Sequence, residues 1–274
     1  MLNEQRLADL ATRMAEVPGV IGVVLGGSRA RGEHSEDSDV DLGLYYRPPL
    51  DVDALGALAR EVAGPGAEVT RPGAWGPWVD GGAWLRIDGT AVDWIYRDLD
   101  RVLGCWRAAQ RGEFAFHAQV GHPLGVPDFA YAGELALAPV LADTGELAAL
   151  QQLMATYPVA LGHALVAGLW EAGFALDIAR KAVSRADTTY MAGCLFRAVL
   201  LCAHALHGRA GRWLINEKGA IASAGRLLAA PPGFTARAHG VLAHLGDRPD
   251  QLQVAIDAAQ ALLDDVRAVC NPPQ

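Results

Sequence analysis

The stretch Gly26-Gly27-Ser28-Arg29-Ala30-Arg31-Gly32, followed by Asp39-Val40-Asp41-Leu42, constrains this chain more than any other. The apolar run 20–25 that precedes it reads as a strand that must turn at the glycines. A Gly-Gly-Ser turn after a strand lets backbone N–H groups approach a phosphate closely, and a helix opening there adds its positive end. Asp39 and Asp41 are two residues apart, so on a strand both carboxylates face one side of a sheet. Asp93 sits in a later apolar run, 91–96, where an isolated carboxylate is costly unless paired or bound to a metal. Carboxylates converging from neighbouring strands make an all-oxygen set suited to Mg²⁺. A phosphate cradle beside such a set points to phosphoryl or nucleotidyl transfer. The bland alternative is a glycine turn followed by a solvated acidic hairpin.

These residues resemble the hallmark of the DNA polymerase β-like nucleotidyltransferase superfamily: Gly-Ser, a short helix, Asp-x-Asp and a distal third carboxylate. The matching positions are Gly27-Ser28, Asp39-Val40-Asp41 and Asp93 within Thr90-Ala91-Val92-Asp93-Trp94-Ile95-Tyr96. The Gly-Ser-Arg-Ala-Arg-Gly form, with Glu36-Asp37-Ser38 ahead of the acid pair, is most similar to minimal bacterial and antibiotic nucleotidyltransferases. The resemblance implies Asp39, Asp41 and Asp93 as catalytic ligands of two Mg²⁺ ions. It also implies Gly27 and Ser28 at the triphosphate of ATP or another nucleoside triphosphate. Arg29 and Arg31 are candidates for phosphate contact, with bracing of the acid loop through Glu36 or Asp37 as the alternative for Arg31.

Length and periodicity set the frame. The 274 residues, 51% hydrophobic and 20% charged, suffice for a large core in one or two domains. Leu7, Leu10, Met14 and Val17 recur at helical spacing, and Pro18-Gly19 ends that helix. Strands are expected at 20–25, 40–44, 68–71, 83–87 and 91–96, and a helix at 51–63. Asp88-Gly89 is a strong hairpin signal. The first fold class is therefore α/β (α+β), a small mixed sheet with helices against it. After a helix at 98–111, residues 112–133 read as irregular. Helices follow at 145–155, 158–182, 188–207, 216–229, 234–244 and 249–269, a pattern that suits an antiparallel all-α bundle. The expected division is 1–112, a linking segment 113–141 that completes the cleft, and 142–274.

The helical half carries a second, shorter resemblance. Leu200-Leu201-Cys202-Ala203-His204-Ala205-Leu206, then Trp213-Leu214-Ile215-Asn216-Glu217-Lys218-Gly219-Ala220, is similar to the helical domain of aminoglycoside-type nucleotidyltransferases. It implies Lys218 as a triphosphate contact. Arg197 and His204 resemble the arginine–histidine pair of HEPN ribonucleases, although the polar residue expected after the arginine is replaced by Ala198. A helix-packing role is favoured for them.

The net charge of −8 and isoelectric point near 5.4 argue against a broad nucleic-acid footprint. They are compatible with a small hydroxylated acceptor, the aminoglycoside-like cations among them. Cys105, Cys194, Cys202 and Cys270 lack zinc or Cys-x-x-Cys spacing, which fits a reduced cytoplasm, and Cys194 and Cys202, eight apart on an expected helix, read as buried thiols. Residues 157–176 are apolar enough to span a bilayer, but Pro158, three glycines and amphipathic neighbours favour a bundle helix with no membrane contact. Glu134 and Asp143 are candidates for a general base by position. His117 and His122 lack partners for a metal site. Trp75, Trp78 and Trp84 are expected in the core rather than along a cleft. Two rival readings are a toxin–antitoxin nucleotidyltransferase that modifies or sequesters a protein, and an inactive nucleotide-binding module.

Overall fold

The structure, a computed structural model, describes residues 3–30 and 38–271. The chain folds into two compact units, one of residues 1–107 and 115–156, the other of residues 108–114 and 157–274.

In the first unit, Asn3 caps α1 (Glu4–Ala15) by accepting from the Arg6 N–H at 2.9 Å, and Asp51 caps α3 (Val52–Ala63) by accepting from Ala54 at 2.9 Å. The strands β1 (Val20–Leu25), β2 (Val40–Tyr46), β3 (Gly82–Ile87), β4 (Thr90–Asp98) and β7 (Val140–Asp143) form one sheet in the order β3-β4-β2-β1-β7. Only β2 and β4 run parallel, so the sheet is mixed as expected. Strict alternation divides it into two faces. Leu42, Leu44, Val92, Trp94, Tyr96, Ala83, Leu85 and Ile87 point to a core closed by Leu10, Met14, Leu55 and Leu58 of the two helices. Burying each such side chain is worth about 1.5–3 kcal/mol. The opposite face carries Asp41, Asp93 and Trp84. Asp88 and Gly89 both take positive φ, 51° and 83°, which gives the tight β3–β4 hairpin that the dipeptide predicts.

Three expectations about elements differ. Residues 68–71 form no strand; Thr70 is tied to Gly82 by its N–H, which donates to the Gly82 carbonyl at 2.8 Å, and by its hydroxyl, which accepts from the Gly82 N–H at 2.8 Å. The segment expected to be irregular folds into the hairpin β5 (Phe116–Gln119) and β6 (His122–Pro127), then α5 (Ala130–Leu137). Gly125 at φ 105° and Pro123 and Pro127 disguise that hairpin in the sequence. Residues 140–143 supply edge strand β7 beside β1, and α6 (Leu147–Met154) follows it, so residues 115–156 lie with the sheet unit. The sheet helices are completed by α2 (Gly27–Ala30) and α4 (Leu99–Gln110).

The second unit is helical: α7 (Val159–Ala167), α8 (Leu169–Ala182), α9 (Thr188–Ala210), α10 (Ala220–Gly225), α11 (Phe234–Ala243) and α12 (Pro249–Cys270). The helix expected at 158–182 breaks at Gly168 into α7 and α8. A Cβ on Gly162 would lie 2.5 Å from the Gly208 carbonyl oxygen, so glycine allows α7 and α9 to cross closely. Among the described residues, two helical stretches, Val159–Arg185 and Thr188–Ala210, are long and apolar enough to cross a membrane by composition. The second is the central helix of this bundle, packed by α7, α8, α10, α11 and α12. On it, Arg197 pairs with Glu171 of α8, and His204 is buried at 2% exposure, which is the packing role favoured above.

Candidate active site

The site is built on the face of the β1–β2–β4–β3 layer opposite the α1–α3 core. Asp41 and Asp93 are direct partners in the parallel pair β2·β4, and Asp93 is the direct partner of Trp84 in the antiparallel pair β3·β4. Directly opposed residues share a face, so Asp41, Asp93 and Trp84 form a row across three strands. At the other end of that row is the glycine turn. The Gly26 N–H donates to the Asp41 carbonyl at 2.8 Å, which latches the turn onto β2. Gly27 takes φ 62°, and a Cβ there would lie 2.7 Å from Asp41 Cγ. Only glycine admits the Asp41 carboxylate at this turn.

Asp39 is exposed at the entrance to β2. The Asp93 carboxyl is pushed up to about 6, first by burial and then by the negative charges of Asp41 and Asp39. The three acids therefore act on one another. Among the described residues, no group of three or more His, Cys, Asp or Glu side chains is set to hold a metal ion in this conformation. The reason is local: the Asp41 carboxylate packs back against Gly27, and Asp39 stands out from the face. The donor chemistry remains that of a hard divalent cation, with oxygen donors only.

Arg29 does a job that had been weighed for Arg31. Its Nε donates to the Asp39 carbonyl at 3.2 Å and its Nη2 to the Ser38 carbonyl at 2.8 Å, so the guanidinium braces the loop that delivers the acids. Ser28 belongs to α2, its side chain lying outside the described residues, as do Arg31, Glu36 and Asp37. Lys218 is exposed in the second unit, on a turn where its N–H donates to Asn216 Oδ1 at 2.8 Å.

Neither positional candidate for a general base is available for that work. Glu134 of α5 forms a two-pronged ion pair with Arg97, at 2.6 and 3.2 Å, with both side chains largely buried. Asp143 accepts from the N–H groups of Gly145, Glu146, Leu147 and Ala148 at the start of α6. Partial burial pushes its carboxyl up, but those four donors outweigh it and hold it below the ordinary range. Of the histidines, His117 contacts Asp128 at 3.3 Å and stacks on Trp78 at 3.7 Å.

The sequence reading placed Trp84 in the core, yet it is 71% exposed. The signal was present: Ala83, Leu85 and Ile87 alternate as the core face, which leaves Trp84 and Arg86 on the other. The buried Arg97–Glu134 pair was also missed, because its partners are far apart in sequence. Arg97 and Tyr45, direct partners in β2·β4, lie on the same face as the acids, and the Arg97 guanidinium is 5.3 Å from the centre of the Tyr131 ring of α5.

No curated protein sequence matches the chain. A crystal structure of a nucleotidyltransferase-like protein from Exiguobacterium sibiricum 255-15 aligns with 93% of this chain and 73% of its own, at 12% identity and a TM-score of 0.46. Residues 7–68, which take in most of α1, the glycine turn, Asp39, Asp41 and α3, match the nucleotidyltransferase domain family. The chain thus carries, at its N-terminus, a nucleotidyltransferase domain of the DNA polymerase β-like superfamily.

Proposed function

We propose that the protein transfers a nucleoside monophosphate from a nucleoside triphosphate, ATP first among them, to a hydroxyl of a small molecule. The observation that carries this reading is the row Gly27–Asp41–Asp93, with the glycine turn at one end and two register-matched carboxylates beside it. Asp41 and Asp93, with Asp39 swinging in from the entrance, would hold Mg²⁺. When bound, the cation neutralises phosphate charge and polarises the phosphoryl oxygens.

The chain's own residues supply the rest. The Gly26–Gly27 turn would offer its backbone to the β- and γ-phosphates. Arg29 fixes the backbone of Ser38 and Asp39, and with it the position of the first acid. The acceptor oxygen bonds to the α-phosphorus as the bond from that phosphorus to the bridging oxygen breaks, and pyrophosphate leaves on the opposite side. The acceptor proton passes to Asp93, the carboxylate of the row that lies farther from the glycine turn. Glu134 and Asp143 are committed to Arg97 and to the α6 N-terminus.

The test is a mass-spectrometric product screen with ATP, Mg²⁺ and a panel of hydroxylated antibiotics and metabolites, run beside thermal unfolding with Mg²⁺ and a nonhydrolysable ATP analogue. An acceptor gaining one AMP and an upward shift in melting temperature are expected. Absence of both, with any of the four common nucleoside triphosphates, overturns the reading.

A further inference from the structure

Within the helical unit, a groove of about 1140 Å³ lies between α7–α8 and the last turns of α9 and α12. That volume is on the scale of a small-molecule site. One wall is apolar: Val159, Val166, Leu169 and Trp170. Gly162 and Gly208, where α7 and α9 cross, also line the groove, so no side chain from the crossing fills it. Val159 is 70% and Trp170 67% exposed, and Phe174 continues the strip one turn on, its ring 6.4 Å from that of Trp170. Over their most apolar 18 residues, Thr188–Ala210 is 67% buried, whereas Val159–Arg185 is only 39% buried. An apolar strip of this extent left in water marks a binding surface.

The charges at the groove say what covers it. Arg209 and Arg267 line it against one acid, Asp264, and the other polar groups there, Tyr157, His163 and Asn271, carry no negative charge at neutral pH. Arg267 is already engaged: its Nη2 donates to the Leu169 carbonyl at 3.3 Å and its Nη1 lies 3.6 Å from Asp264. Arg209 is exposed, close enough to Cys270 for its charge to act on that thiol, and it has no ion pair among the described residues. A positive rim on a chain of net charge −8 is a local feature rather than a consequence of composition. A second copy seated on this face across a two-fold axis would double the arginines without adding an unpaired acid. We propose that the groove binds an amphipathic anion, its acyl chain along the apolar wall and its acidic head group at Arg209. From Val159 to Trp170 the helical stretch is roughly 16 Å long, which suits a medium-length acyl chain. This site shares no residue with the glycine turn and its acids, and it does not depend on the nucleotidyl-transfer reading.

The experiment titrates the full chain by calorimetry with dodecanoate and dodecyl phosphate, each below its micellar concentration. Dodecyl maltoside, with the same chain and a neutral head, and acetate, with the head alone, are the controls. Wild type should take up one equivalent of at least one anion, and the tighter of the two names the head group. Dodecyl maltoside should bind about tenfold more weakly, and acetate not measurably. Arg209→Gln should raise the Kd of the anion about tenfold and leave that of dodecyl maltoside within about twofold. Trp170→Ala should weaken every ligand that carries the chain by about fivefold. Both side chains are exposed, so melting temperatures should stay close to that of wild type. No uptake of either anion by folded wild type overturns the proposal. So does equal affinity for charged and neutral heads, or anion binding unaffected by Arg209→Gln, which would leave that arginine as a partner of the α9 C-terminus alone. Sedimentation velocity at the titration concentration tests the other occupant. A wild-type dimer that Trp170→Ala dissociates would make the groove an interface between copies and overturn the ligand assignment.

Discussion

Gly27 and Asp41 share one space: the volume that a side chain on Gly27 would occupy is filled by the Asp41 carboxylate. The turn and the acid are thereby a single unit, although 14 positions separate them in the sequence. Gly27→Ala should displace the carboxylate and strain a backbone at φ 62°. Nucleotidyl transfer should fall by about a hundredfold, the scale of an ångström-sized misplacement of a catalytic group, while far-ultraviolet circular dichroism stays native. Turnover within a few-fold of wild type would show that Asp41 does not depend on the turn.

Asp93 is held in a place where its charge is unfavourable, half-buried and beside two other acids. Asp93→Asn should therefore abolish transfer and at the same time stabilise the metal-free protein at pH 7.5. After allowance for solvent screening the gain is on the order of 1 kcal/mol, read from urea unfolding without divalent cations. A destabilised variant would mean that the carboxylate has a structural partner instead.

Glu134 should behave in the opposite way. Its removal as Glu134→Gln leaves the Arg97 guanidinium buried without its counter-charge, at a cost of about 3 kcal/mol in stability. The double variant Arg97→Met with Glu134→Leu should recover most of that loss. If Glu134→Gln keeps its stability and loses only turnover, Glu134 is the base after all.

The helical unit carries a pH dependence of its own. Burial pushes His204 down to about 3, with His207 adding to the effect, and pushes His207 down to about 4. Both are neutral in the folded chain, whereas the unfolded chain protonates them near 6.5. The unfolded state thus binds more protons below that value, and stability falls as pH drops from about 6.5 toward 4. Each imidazole should account for about 2 kcal/mol between pH 7.5 and pH 5. Urea midpoints at those two pH values, in wild type and in His204→Leu, should show a smaller drop in the variant.

What the sequence determined was local. The strand at 20–25, the glycine turn, the alternation that sets Asp41 on the face opposite Val40 and Leu42, the Asp88-Gly89 hairpin and the helical second half all follow from periodicity and turn chemistry, which act over a few residues. The alternation of β3 was legible too, although the apolar character of Trp84 masked its outward placement. Tertiary structure decided the rest, because it required register between strands far apart in the chain. Only the parallel pairing of β2 with β4 sets Asp93 beside Asp41 and Arg97 beside Tyr45. Only the packing of α5 gives Glu134 a buried partner. The hairpin at 116–127 and the edge strand at 140–143 were invisible for the same reason: such short segments take their strand character from the neighbours they pair with, and a propensity read one residue at a time does not contain those neighbours.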